Sequence, residues 1–157
     1  MKKDHIRDYA TEAFRYYASI GKTFDEVKEE IYKTAIEESK SKELKTNNIC
    51  SPTELAMMRA DKAIVEKKGE LEDILAVEET LKQIALERNG ADIKKAIELV
   101  YFVTPDKELE RNEFSERVLN AANEINCDTR TIYRYLGTAR SIFAENRGLR
   151  KTKKHIS

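Results

Sequence analysis

Between residues 127 and 140 the chain reads CDTRTIYRYLGTAR. Arg130, Arg134 and Arg140, with Tyr133 and Tyr135, fall inside this short stretch. A guanidinium is a planar fork of donors that matches two phosphate oxygens or the O6/N7 edge of guanine. Threonine can meet a thymine methyl or a phosphate, and a tyrosine hydroxyl can donate to a phosphate. The chemistry on offer is recognition of a polyanion with readable edges. Charge distribution agrees. Residues 128–157 hold 8 Lys and Arg against 2 Asp and Glu, a net of +6, whereas the rest holds 21 against 27, a net of −6. A chain that is neutral overall therefore concentrates its positive charge at one end.

These side chains need an element to present them, and the periodicity supplies one. Asp128 can cap a helix over about 128–144, with Ile132, Leu136, Ala139 and Phe143 on its buried side. Upstream, Phe114, Val118, Leu119, Ala122 and Ile125 mark a face of another helix, and only Asn126 and Cys127 separate the two runs. The spacing predicts a helix-turn-helix. Ala122 is small where the second helix must approach the first. Asn126, four residues on, tolerates a left-handed backbone. Ile132, ten residues after the alanine, is the β-branched residue that locks the second helix down. With Ile132 and Leu136 inward, Thr129, Arg130, Tyr133 and Arg134 project outward from the first turns, the part of a recognition helix that enters a major groove. Arg140, Arg147, Arg150, Lys151, Lys153 and Lys154 are expected to add non-specific attraction to phosphate, and Tyr135 to sit at the core edge.

The stretch ANEINCDTRTIYRYL resembles the helix-turn-helix of bacterial sigma factor region 4 and of small phage-encoded transcription regulators, the ArpU- and RinA-type activators among them. In that pattern an alanine and a two-residue spacer precede Leu/Ile, Gly, Val and Ser. Here Asn126 stands for the glycine, Cys127 for the valine and Asp128 for the serine, each keeping the physical role. The resemblance covers about residues 92–147 and is faint over 70–91, and residues 1–68 carry no motif. It implies sequence-specific binding of double-stranded DNA in transcription control, with RNA polymerase or a second copy of the chain as further partners. A promoter-melting region is not recognisable, so the resemblance does not extend to a whole sigma factor.

The remaining chain reads as helix throughout. Charged residues make up 37% and hydrophobic residues 40%, with only 5 Gly and 2 Pro in 157 residues, a composition that favours an all-α helical bundle. A helical hairpin is expected over 1–45: one helix through Phe14 and Tyr17, ended by Gly21, then a second opened by the capping box Thr23–Glu26. Ser51, Pro52 and Glu54 start a connecting helix within 46–69. A domain over 70–147 begins with a longer helix that Asn89-Gly90 stops. Asp92 is placed to cap the next, in which Ile93, Ala96, Ile97, Val100 and Tyr101 face inward, and Thr104-Pro105-Asp106 breaks it. Residues 148–157 form a basic tail.

Several function classes are disfavoured. Cys50 and Cys127 are far apart, and His5 and His155 lie near opposite ends, so neither a disulfide nor a metal site is expected and no cofactor is implied. Carboxylates interleaved with lysines on regular helices read as solvated faces, and no glycine-rich phosphate loop occurs, so an enzyme is not expected. No apolar run approaches the ~20 residues of a membrane span, and the N-terminus lacks the apolar core of a signal peptide, which makes the cytoplasm the expected location. Two other readings of the same pattern remain open. One is a DNA-packaging component like a small terminase subunit; the other is a protein-interaction adaptor whose basic end meets an acidic partner.

Overall fold

The computed structural model describes residues 4–41 and 51–149, and among these the chain is all-helical, with no strand. The helices are α1 (His5–Ile20), α2 (Phe24–Ser41), α3 (Pro52–Glu66), α4 (Lys68–Ala85), α5 (Gly90–Val100), α6 (Arg111–Ile125) and α7 (Thr129–Arg147). None of them is long and apolar enough to cross a membrane. The local signals act where the sequence places them. The Asp4 carboxylate caps α1 by accepting from the Arg7 amide at 2.9 Å, and Gly21 closes it with φ 60°. Thr23 and Glu26 exchange backbone-to-side-chain hydrogen bonds, both at 3.2 Å, satisfying two orphan donors at the start of α2. The Ser51 hydroxyl accepts from the Glu54 amide at 3.2 Å ahead of Pro52.

The chain divides into two compact units, one running up to Gly21 and resuming at Ala76, the other running from Lys22 to Leu75. This differs from the hairpin expected over 1–45. Helix α1 belongs to the first unit and packs on α7, whereas α2 packs on α3 in the second. The reason lies in the partners each apolar face finds. Phe14 on α1, fully buried, places its ring 5.7 Å from both Tyr101 and Phe143. Burying one such ring is worth roughly 2–3 kcal/mol, more than a three-residue connection can oppose. In the second unit α2 and α3 meet through small residues, with Ala56, Ala60 and Ser39 buried and the Arg59 guanidinium donating to the Ser39 hydroxyl at 3.0 Å.

The core of the first unit is built by α1, the C-terminal half of α4, α5, α6 and α7. Val77, Ile84, Ile97, Val100, Tyr101, Val118, Ile132, Leu136 and Phe143 are its fully enclosed large side chains beside Phe14. All five inward residues expected on α5 are buried. Two boundaries move. Helix α4 ends at Ala85, four residues before Asn89-Gly90, and the pair instead opens α5, with Asn89 as an N-cap that makes no side-chain cap and Asp92 inside the first turn. The tight return explains both shifts, since Gly90 lies directly against the Ile84 carbonyl. At the far end of α7 the Asn146 amide donates to the fully buried Thr80 hydroxyl at 3.1 Å and pairs with the Gln83 amide, pinning the helix terminus to α4.

Candidate nucleic-acid interface

Helices α6 and α7 are joined by three residues, and the geometry of that connection follows from their chemistry. Asn126 adopts φ 64°, ψ 52°, one of two described non-glycine residues with positive φ. Its short amide makes the left-handed conformation tolerable. The Cys127 amide then donates back to the Ala122 carbonyl at 2.9 Å, closing the end of α6. Ala122 is 3% exposed, with no side chain beyond Cβ to hold the neighbouring helix away. Cys127 packs half-buried against the core as a free thiol. Burial, and then the Asp128 and Asp92 carboxylates, push its thiol up, so it serves as a small apolar residue.

Asp128 caps α7. Its carboxylate accepts from the Thr131 amide at 2.8 Å and from the Thr131 hydroxyl at 2.7 Å. The Thr131 hydroxyl first, then its amide, holds the carboxyl below its ordinary range, helped by Arg130 and Arg134. A folded-state pKa depressed in this way contributes stability that is complete above the unfolded carboxylate range and is lost as pH falls through the folded value. The expected result is that Asp128→Ala melts below wild type at neutral pH and that the gap closes on acidification below about pH 4. Thermal melts at several pH values check it, and a gap that persists in acid would show that the ionised cap is not its source.

Along α7 the two faces separate cleanly. Ile132, Leu136, Ala139 and Phe143 have no exposed surface, and Tyr135, 8% exposed, joins them. Thr129, Arg130, Tyr133 and Arg134 are exposed on the opposite side of the first turns. Arg130 and Arg134, one helical turn apart, stand about 6 Å apart along the axis. The Arg134 guanidinium lies 5.8 Å over the Tyr135 ring. Tyr133, 47% exposed, rests its ring 6.0 Å from that of Phe114. This is the group of four that the sequence predicts, exposed together near one end of the helix.

No family model, curated protein or solved structure matches this chain.

The remaining expected residues are distributed differently. Arg140 is half-buried. Its Nη1 donates to the Tyr101 hydroxyl at 2.9 Å, which turns the guanidinium toward the core. Arg147 is half-buried at the last position of α7. Arg150 and Lys151, with Lys153 and Lys154, lie outside the described residues. On α6, Leu119 is 55% exposed and Ala121 takes the inward place expected for it, because the buried face is centred on Val118, Ala121 and Ala122. Among the described residues no group of three or more His, Cys, Asp or Glu side chains could hold a metal ion.

Two arginines that periodicity does not single out hold the scaffold behind this surface. Arg15 of α1, only 7% exposed, donates to the carbonyls of Tyr101 at 3.0 Å and Thr104 at 3.0 Å, and to that of Lys107. Arg117 of α6 donates to the Val100 and Val103 carbonyls at 3.0 and 2.9 Å and to the Thr104 hydroxyl at 2.8 Å. Together they satisfy the carbonyls that emerge at the C-terminus of α5, where the helix dipole favours a cation. Burial, then the neighbouring Arg117, lowers the Arg15 pKa. Thr104, with φ 40°, is held in a strained conformation by this clamp. Nothing in the local sequence marks Arg15, flanked by Phe14 and Tyr16, as a residue that reaches a loop some ninety positions away.

Proposed function

We propose that this protein is a sequence-specific DNA-binding regulator of transcription, of phage or prophage type, which docks α7 in the major groove through a helix-turn-helix made by α6 and α7. One observation carries the reading. In the first two turns of α7 the side chains able to read bases or grip phosphates, Thr129, Arg130, Tyr133 and Arg134, are exposed, while Ile132 and Leu136 beside them are fully buried. The left-handed Asn126, the enclosed Ala122 and the Asp128 cap support it by fixing the angle and start of that helix. Arg130 and Arg134 would each make a bidentate contact to guanine, and Thr129 a contact to phosphate or a thymine methyl. The resemblance to sigma factor region 4 and to phage regulators supplies the context of transcription, and with it RNA polymerase or a second copy of the chain as partner.

Fluorescence anisotropy with mixed-sequence duplex DNA over a salt series tests the proposal. Wild type is expected to bind with steep salt dependence, and Arg130→Ala/Arg134→Ala to bind roughly 30-fold more weakly with a shallower slope. Both residues are exposed, so the melting temperature should change little. Binding that survives the double substitution would place the affinity in the basic residues after Leu149 and remove α7 from the groove. No binding even at about 50 mM salt would sink the DNA reading and favour the adaptor. A stable ring-sized assembly in light scattering would instead favour the packaging subunit.

A further inference from the structure

We infer that Phe114 is a positioning residue that presents Tyr133 to the DNA backbone as a rigid, neutral contact, an inference that rests on the DNA-binding reading. Tyr133 is the one aromatic side chain on the outward face of the first turns of α7, and one side of its ring has a packing partner. It packs at 6.0 Å and 50° against Phe114 of α6. Phe114 is half-buried and stacks at 6.5 Å and 26° on Tyr101, which stacks in turn at 5.7 Å and 10° on Phe14 of α1. The Tyr101 ring is fully buried, and its hydroxyl is held from two sides, by Arg140 Nη1 at 2.9 Å and by the Thr11 hydroxyl at 3.3 Å. An unbroken file of four rings thus runs from the core to the candidate interface, anchored at its inner end by α1 and α7.

The file gives Tyr133 what a solvated tyrosine lacks. A ring already held in its rotamer loses little conformational entropy when its hydroxyl meets a partner, so more of the contact appears as affinity. The partner that fits is a phosphate oxygen, which accepts from the phenolic hydroxyl and sets the register of α7 along the duplex. This also gives Arg140 a role other than phosphate binding: it braces Tyr101, the ring on which Phe114 rests. A neutral hydroxyl displaces no counterion, and this separates its contribution from that of Arg130 and Arg134.

The test is a double-mutant cycle read by the same anisotropy titration, with wild type, Tyr133→Phe, Phe114→Leu and the double variant, each followed across the salt series. Tyr133→Phe, which removes one hydrogen bond, and Phe114→Leu, which removes one aromatic pair, are each expected to weaken binding about fivefold, with the wild-type salt slope retained. The double variant should bind no more weakly than the weaker single one, because without the hydroxyl there is nothing left to position. A merely structural Phe114 would give losses that multiply, and that result overturns the inference, as does a Phe114→Leu protein that binds like wild type. Phe114→Met is run alongside and expected to behave as Phe114→Leu does. Thermal melts identify any variant that loses binding by unfolding, and the upfield ring-current shift of the Tyr133 protons in the free protein, lost on replacing Phe114, gives a readout independent of DNA. A wild-type protein that does not bind overturns the DNA reading itself; normal wild-type binding with multiplying losses overturns only the role of Phe114.

Discussion

Arg15→Ala is expected to destabilise the protein by on the order of 3 kcal/mol, although the residue touches no part of the candidate interface. The residue is 7% exposed, and its guanidinium donates to the carbonyls of Tyr101, Thr104 and Lys107. Alanine would leave the buried Tyr101 carbonyl without this donor, at a cost of about 1–3 kcal/mol, and would break the part-buried bonds to the Thr104 and Lys107 carbonyls as well. Water entering the vacated volume would recover part of this, which is why the expectation sits below the full sum. Lysine should rescue poorly, since one ammonium cannot span the carbonyls that a planar fork reaches. Arg117→Ala, whose side chain is nearer solvent, should cost less. Urea denaturation followed by circular dichroism measures all three. A loss under about 1 kcal/mol for Arg15→Ala would mean the loop carbonyls are solvated without it.

The second large effect is set by a glycine. A Cβ at Gly90 would overlap the Ile84 carbonyl oxygen and stand only 3.2 and 3.3 Å from the carbonyl carbons of Ile84 and Ala85. All of these are backbone atoms, so no side chain can swing aside to relieve the contact. Gly90→Ala is therefore expected to cost about 2–3 kcal/mol, the scale of forcing volume into a packed site. Intrinsic preference points the other way, because alanine in a helix is favoured over glycine by about 1 kcal/mol. Gly69 separates the two effects. It lies inside α4 with nothing within 4 Å of the place a Cβ would take. There the same substitution should stabilise, by up to about 1 kcal/mol. Opposite signs at the two positions in parallel denaturation curves would confirm that close approach at Gly90, not helix propensity, decides the outcome.

Much of the local structure was legible in the sequence because its signals act over three or four residues. Thr23–Glu26, Ser51–Pro52 and Asp128 cap helices in the structure because a side-chain oxygen three positions before an amide is within reach whatever else the chain does. The inward faces of α5 and α7 follow from the 3.6-residue period for the same reason, and with them the outward placement of Thr129, Arg130, Tyr133 and Arg134. Where a face is marginal the period is a weaker guide. On α6 both Leu119 and Ala121 lie within one step of the buried centre, and the neighbouring helix admits the smaller one.

What the sequence by itself determined, then, is an all-helical chain, where most of its helices begin, and which side of each well-marked helix turns inward. Only the tertiary structure decided that α1 joins the C-terminal helices while α2 pairs with α3, since a short link between two helices says nothing about which distant aromatic cluster offers the better burial. It also decided that Arg140, six residues beyond the last of the outward four, bends back to the Tyr101 hydroxyl, and that Arg15 serves a loop far along the chain. A guanidinium at the end of a long, flexible stem can reach solvent or a buried acceptor from the same backbone position. The choice depends on what folding brings within about 3 Å of it, and that is fixed by packing between segments remote in sequence.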